Sequence, residues 1–186
     1  LTAVKNKIGV SEYRQDLLEE YVYFFRKNFD DVFEELLSKD TLKDNFRVVI
    51  DTANGATSVV AEKVYKSLGI NYEIINNHPN GININENCGS THMEGLQKFV
   101  VDHKCNLGIA YDGDGDRCLA VNEKGKIVDG DCIMAVISNY LKENGKLRNN
   151  TLVATVMSNL GLRKYAENNN INFEATKVGD RYVLEN

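Results

Sequence analysis

The sequence predicts an α/β fold, a mixed or mostly parallel sheet sandwiched by helices, and three observations point to it. Short apolar runs of strand length alternate with segments of helical periodicity, turn residues fall at the joints, and the same rhythm restarts after residue 124. The expectation is one complete module over residues 1–124 and a truncated second module over 125–186.

From Arg14 to Ser38, apolar residues recur at 18, 21, 22, 25, 29, 32, 33 and 36, the spacing of one face of a long helix. A polar stretch at 39–45 leads into Phe46–Asp51, a strand, and Asn54-Gly55 turns the chain into a helix that ends at Gly69. That turn suits either a tight structural bend or a set of backbone amides that hold an anion. Tyr72–Asn76 reads as the next strand and is followed by a loop rich in Asn and Gly that holds the one proline, Pro79. Thr91 and Glu94 form a capping-box pattern opening a helix to about Lys104. Leu107–Tyr111 is a third strand, and Cys118–Asn122 a fourth.

After the turn at 123–126 come a helix from about Asp131 to Asn144, a strand from Thr151 to Val156, and a helix near Leu160 to Asn168. The last strand is about Asn172 to Lys177. Gly179 to Asn186 opens another helix, capped by Asp180.

With 186 residues, 42% hydrophobic and 26% charged, the chain has the balance of a globular protein with a sizeable core. A net charge of −5 supplies no field for nucleic acid, and no apolar run reaches the roughly 18 residues that span a bilayer. The first residues carry no signal-peptide pattern, so the expected setting is the cytoplasm, without nucleic acid or membrane as partner. The cysteines at 88, 105, 118 and 132 lack the close spacing of zinc ligands and read as reduced structural thiols. His78, His92 and His103 each stand alone.

The chemistry concentrates in Asp112-Gly113-Asp114-Gly115-Asp116-Arg117. Alternation lets the three carboxylates project to one side of an extended loop, and the glycines permit the dihedrals that make them converge. Two unit charges 4 Å apart repel by about 1 kcal/mol in water and about 4 kcal/mol at an effective dielectric of 20, so three such groups call for a cation. Oxygen ligands without His or Cys suit Mg²⁺, Mn²⁺ or Ca²⁺. Arg117 adds a fixed cationic fork suited to phosphate oxygens. Asp112, Asp114, Asp116 and Glu123 fall at EF-hand positions, but the sixth position is Arg117 where glycine is required, and strands flank the loop. A haloacid-dehalogenase-like phosphatase also places paired aspartates after a strand, ordinarily its first, and stands as the alternative enzyme class.

The hexapeptide resembles the metal-binding motif of the α-D-phosphohexomutase family. The similarity extends over Asp51–Gly55, Asn80–Asn85, Cys88–Thr91, Val128–Asp131, Met157–Leu162 and Lys177–Val183, nearly the whole chain from about Ile8. The Asn80–Asn85 and Lys177–Val183 stretches look like the branch acting on a phosphorylated amino sugar, with phosphomannomutases and phosphoglucomutases as the alternative. The resemblance implies a four-domain isomerase that moves a phosphoryl group between the 6- and 1-positions of glucosamine through a phosphoserine and a bisphosphorylated intermediate. It implies Mg²⁺ on Asp112, Asp114 and Asp116, Arg117 against phosphate, and Lys177 as general acid or base or as a phosphate-steering cation; Arg181, three residues past Val178, is expected to face the cleft as a substrate contact.

The family's Ser-Ala-Ser-His-Asn segment and its Glu-x-Ser-Gly-His loop do not occur in this sequence. The residues present therefore correspond to the second domain and the first half of the third, with the first domain, the rest of the third and the fourth missing. Such a piece is expected to hold metal without turning over substrate, and to self-associate through uncovered apolar surface. A non-catalytic module that kept a metal loop is the reading from a different class.

Overall fold

The computed structural model describes residues 9–38 and 46–185. The polar stretch at 39–45 lies outside the described residues. In chain order the elements are α1 (Asp16–Ser38), β1 (Arg47–Asp51), α2 (Thr57–Ser67), β2 (Asn71–Ile75), α3 (Glu94–Asp102), β3 (Leu107–Tyr111), β4 (Cys118–Asn122), β5 (Ile127–Val128), α4 (Gly130–Glu143), β6 (Thr151–Thr155), α5 (Leu160–Asn168), β7 (Asn172–Thr176) and α6 (Asp180–Leu184). The α/β expectation holds, and the first sheet is mixed. Its order is β2-β1-β3-β4-β5, with β2, β1 and β3 parallel and β4 and β5 antiparallel. Strands β6 and β7 form a separate parallel pair.

The interior of β1, Val48–Ile50, is apolar without alternation because it is covered on both faces, as parallel strands are. Val49 faces Leu96 and Val100 of α3, together with Ala110 and Val121. Val48 and Ile50 face the opposite way, onto Ala61, Tyr65 and Leu68 at α2. Successive side chains of a strand point to opposite faces, so this one strand nucleates both cores. The reversal at β4 follows from loop length. Only residues 112–117 separate β3 from β4, and Tyr111 pairs directly with Cys118. Six residues suffice for a hairpin but not for the crossover that a parallel neighbour needs. The acidic loop is thus a hairpin loop, anchored by a strand at each end.

Helix α1 begins at Asp16 rather than Arg14, whose guanidinium bonds the Asp16 carboxylate. Leu18, Val22, Phe25 and Val32 on its apolar face are half-buried, and Phe25 joins the core under α2. Tyr21 and Phe29 of the same stripe remain exposed, and the side chains of Phe33 and Leu36 lie outside the described residues. An ion pair from Lys63 to Glu19 and a bond from Arg26 to the Ser67 carbonyl oxygen fasten α1 to α2.

Two expected caps are not made. Thr91 ends a 3₁₀ turn, Gly89–Thr91, and its hydroxyl meets His92 Nδ1 at 3.2 Å. Met93 already has helical dihedrals and precedes α3 without a side-chain cap, so the extended N-cap that a capping box requires is not available to Thr91. Helix α3 stops at Asp102, and Lys104 turns left-handed at φ 54°. At the far end Gly179, with φ 135°, is the N-cap, and Asp180 sits inside the first turn.

Helices α4 and α5 are capped by side chains. Asp129 Oδ1 accepts from Cys132 N at 2.9 Å, and Asn159 Oδ1 accepts from Leu162 N at 3.0 Å. Leu152 and Ala154 of β6 bury against Leu162, Ala166 and Ile171. Val156, Met157 and Leu160 stay exposed. Among the described residues, no helix is long and apolar enough to cross a membrane.

Helix α3 rests on β3 where Gly108 leaves room. A Cβ at Gly108 would lie 2.7 Å from Val100 Cγ2 and 3.1 Å from Leu96 Cγ, both in a fully buried layer. Gly108→Ala is therefore expected to cost about 1–3 kcal/mol by overpacking. Urea unfolding measures it, and an unchanged midpoint would show that α3 yields freely.

Candidate metal centre

The site is built at the carboxyl end of the parallel strands, where α/β sheets place their ligands. Tyr111, the last residue of β3, shares a 2.7 Å hydrogen bond between its hydroxyl and that of Tyr65 on α2. Burial first, and then the neighbouring Tyr111, push the Tyr65 phenol far above its ordinary pKa, so the pair remains neutral and fixes the strand end. Asp51, 1% exposed at the end of β1, receives the backbone amides of Ala53 and Gly89 on its two oxygens, each at 2.9 Å. One carboxylate thereby ties the 52–57 turn to the 77–93 loop. A buried charge is tolerated when its lone pairs are used in this way.

Gly113 is gripped from two sides. Its carbonyl oxygen accepts from Ala56 N at 2.8 Å, and a Cβ on Gly55 would stand 2.2 Å from that oxygen. On the other side, a Cβ on Gly113 would meet Ile84 at 2.6 Å and Asn85 Nδ2 at 2.7 Å. The Asn54-Gly55 turn is thus a packing turn. Gly55 N bonds Thr52 O and Ala56 N bonds Gly113 O, so two of the amides an anion would seek are occupied. Beyond Gly113 the loop closes on itself. Gly115, at φ 77°, donates to Asp112 O at 3.1 Å, and Arg117 N donates to Asp112 Oδ1 at 3.1 Å.

This folding brings one carboxylate oxygen each from Asp112, Asp114 and Asp116 within 4.8 Å of one another, Asp112 buried and the other two exposed. Trans ligands of an octahedral Mg²⁺ lie about 4.2 Å apart and cis ligands closer, so small side-chain rotations close the set on a cation. Three hard anionic oxygens, with two open to solvent that can complete the shell, fit such an ion. The buried Asp112 is pushed up by desolvation, but the Arg117 amide and the Asp116 and Asp114 carboxyls outweigh this and hold it below the ordinary aspartate range. Asp116 is raised, first by its hydrogen bond with Asp112, then by desolvation and by the Asp112 and Asp114 charges. Opposed shifts in one pair are what two adjacent carboxyls joined by a hydrogen bond produce.

Arg117 turns back onto the loop, with Nε 3.7 Å from Asp112 Oδ2 and 4.0 Å from Asp116 Oδ1. At 70% exposure that pairing is weak and leaves the guanidinium free to reorient. Lys177 stands exposed after β7 with Nζ 5.8 Å from the Tyr182 ring centre, and Arg181 bonds Glu185 at 2.7 Å. Among the described residues, no hydrogen bond or ion pair joins either of them to the aspartates. The structure adds Asp51, Gly55, Ile84 and Asn85 as the support of the loop. The sequence singled out the Asn54-Gly55 turn and the Asn80–Asn85 stretch, but not their contact with Gly113.

The chain has relatives among known proteins. Residues 19–125 match the family model of phosphoglucomutase/phosphomannomutase, alpha/beta/alpha domain II, and residues 129–186 that of domain III. Phosphoglucosamine mutase of Caldicellulosiruptor saccharolyticus is 52% identical over 160 residues, which are 86% of this chain and 35% of that protein. Phosphoglucosamine mutase of Acetivibrio thermocellus is 51% identical over 97% of this chain and 38% of its own length. The chain thus spans little more than a third of these relatives. A crystal structure of apo N-acetylglucosamine-phosphate mutase, of the alpha-D-phosphohexomutase superfamily, overlays 87% of this chain and 38% of its own with a TM-score of 0.66 at 20% identity, a likeness of fold.

Proton and cation should compete for the loop. On acidification of the metal-free chain, Asp116 takes its proton above the ordinary aspartate range and Asp112 below it. The stability signs are opposite. The Asp112 contribution is present above the unfolded aspartate pKa and lost as pH falls through its depressed folded value. The Asp116 contribution is full below the unfolded value and lost as pH rises through its raised one. Mn²⁺ affinity is expected to decline first as pH enters the Asp116 range, which carboxyl-carbon NMR with a parallel Mn²⁺ titration measures; identical titration of the two groups would contradict it.

Proposed function

The chain belongs to the phosphoglucomutase/phosphomannomutase family, and from that premise we propose that it is the metal-holding part of a phosphoglucosamine mutase. The whole enzyme would interconvert glucosamine 6-phosphate and glucosamine 1-phosphate. The single observation that carries the reading is the convergence of Asp112, Asp114 and Asp116 on a hairpin loop, within a stretch about half identical to two proteins of that name. The division into residues 1–124 and 125–186 is part of the proposal, with β5 completing the first sheet across it. So are the phosphoserine, held outside these residues, and a cytoplasmic setting, which four free cysteines suit.

Mg²⁺, when held by the three carboxylates, would supply a Lewis acid for phosphoryl oxygens. The chain's own residues do the remainder. The aspartates fix the cation by charge and position, and the two strands anchoring the loop keep that position constant through a turnover. Arg117, exposed and weakly held, swings from Asp112 and Asp116 to the phosphate and spreads the charge that develops in transfer. Lys177 holds or moves a proton at a sugar hydroxyl or steers the phosphate, and Arg181 leaves Glu185 for the substrate.

The test uses the full-length protein that contains this chain. With Mg²⁺ and glucosamine 6-phosphate, ³¹P NMR should show the 1-phosphate forming, and Asp114→Asn should lower kcat/KM by about 100-fold or more, since even outer-shell changes at metal sites cost 10–100-fold. The 186-residue chain alone should show no turnover. A clear preference of the full protein for mannose or glucose phosphates would replace the amino-sugar reading with a sister activity.

A further inference from the structure

The metal loop has a partner that nothing in its own hexapeptide announces. Asn85 stands with left-handed dihedrals at φ 58°, donates its backbone N–H to the Ala53 carbonyl oxygen at 2.9 Å, and turns its side chain onto Gly113. Its Nδ2 and the end of Ile84 occupy the space a Gly113 side chain would take, at 2.7 and 2.6 Å from that Cβ position. Its Oδ1 is buried and has no hydrogen-bond partner. Ile84 is itself 53% exposed, so burying an apolar side chain does not account for this arrangement. The stretch before it is held rigid. Asn80 Oδ1 accepts from Ile82 N and Asn83 N, both at 3.0 Å, and Asn83 Nδ2 donates to His78 O at 3.0 Å. A stiff loop thus presses a carboxamide against the one residue between the first two ligands.

We propose that Asn85 is a positioning residue for the metal centre: it holds Gly113 against Ala56 so that Asp112 and Asp114 stay close enough to share one cation. The proposal rests on the metal-centre reading above. Gly113 lies between Asp112 and Asp114 in sequence, so a displacement there changes the distance between two ligands directly. Ala56 N–H fixes its carbonyl from one side only. Without Asn85 only the exposed Ile84 side chain backs the opposite side, and the loop can relax under the mutual repulsion of its carboxylates.

The experiment measures Mn²⁺ binding by the 186-residue chain, with water-proton relaxation reporting the hydration of the bound ion. Asn85→Gly keeps the left-handed backbone accessible and removes only the side chain. Its expected effect is about tenfold weaker Mn²⁺ binding, in the range for groups that orient metal ligands, with more exchangeable water on the ion and a metal-free melting temperature close to the parent's. A merely structural role would lower the melting temperature and leave the hydration of the ion unchanged, and that result overturns the proposal. Asp114→Asn is run beside it. If it leaves binding unaltered, the metal-centre reading itself fails. If it weakens binding while Asn85→Gly does not, only the positioning role fails. Should Asn85→Gly not fold, Asn85→Ser carries the test, with a loss of affinity in the same direction expected and unchanged binding overturning the proposal.

Discussion

Neither Gly55 nor Gly113 carries a side chain, and their backbones meet so closely that a Cβ on Gly55 would lie 2.2 Å from the Gly113 carbonyl oxygen. The carboxyl end of the sheet depends on that approach. It brings Ala56 N–H to the loop, places the start of α2 beside the aspartates, and leaves a slot that Ile84 and Asn85 fill. Asp51 secures the same region from below, since its two oxygens hold backbone amides from two different loops. Three chain segments that are distant in sequence are thereby locked around one hairpin loop.

The electrostatics follow from this packing. Left to themselves, three carboxylates spaced two residues apart would splay into solvent. Here the strand ends and the grip on Gly113 hold them together, and the cost appears as the divergence of Asp112 and Asp116 toward opposite sides of the ordinary aspartate range. Part of the repulsion is offset by Arg117 and by backbone amides. The remainder is what a cation held by the loop would relieve, and a stiff scaffold suits that role, since a loop that could relax would gain little from metal.

Much of this was legible in the sequence. Strand β1 was visible from the apolar run Val48–Ile50, β3, β4 and α5 appeared at their observed boundaries, and the alternation of Asp and Gly identified the cluster. What could not be read were relations between segments. Nothing local in Asn54-Gly55 distinguishes a turn that binds an anion from one that packs on Gly113, because the difference lies in residues almost sixty positions away. The Thr91–Glu94 capping pattern misled for a related reason: a 3₁₀ turn beginning at Gly89, itself held by Asp51, commits the backbone before Thr91 can act as a cap. The support from Asn85 was hidden in a loop whose asparagines all look like turn formers.

The contact between Gly55 and Gly113 also bears on the order in which the molecule assembles. It closes a loop of about sixty residues, at an entropic cost on the order of 3–4 kcal/mol from the length term alone, and by itself returns little more than one hydrogen bond. It becomes favourable only after β1 and β3 have paired and carried both glycines to the same edge. The aspartates therefore come together late, once the sheet is in place. Early folding proceeds without the mutual repulsion of the carboxylates, and a metal ion held there would act mainly on the final closure, slowing reopening of the finished site more than hastening the first pairing of strands.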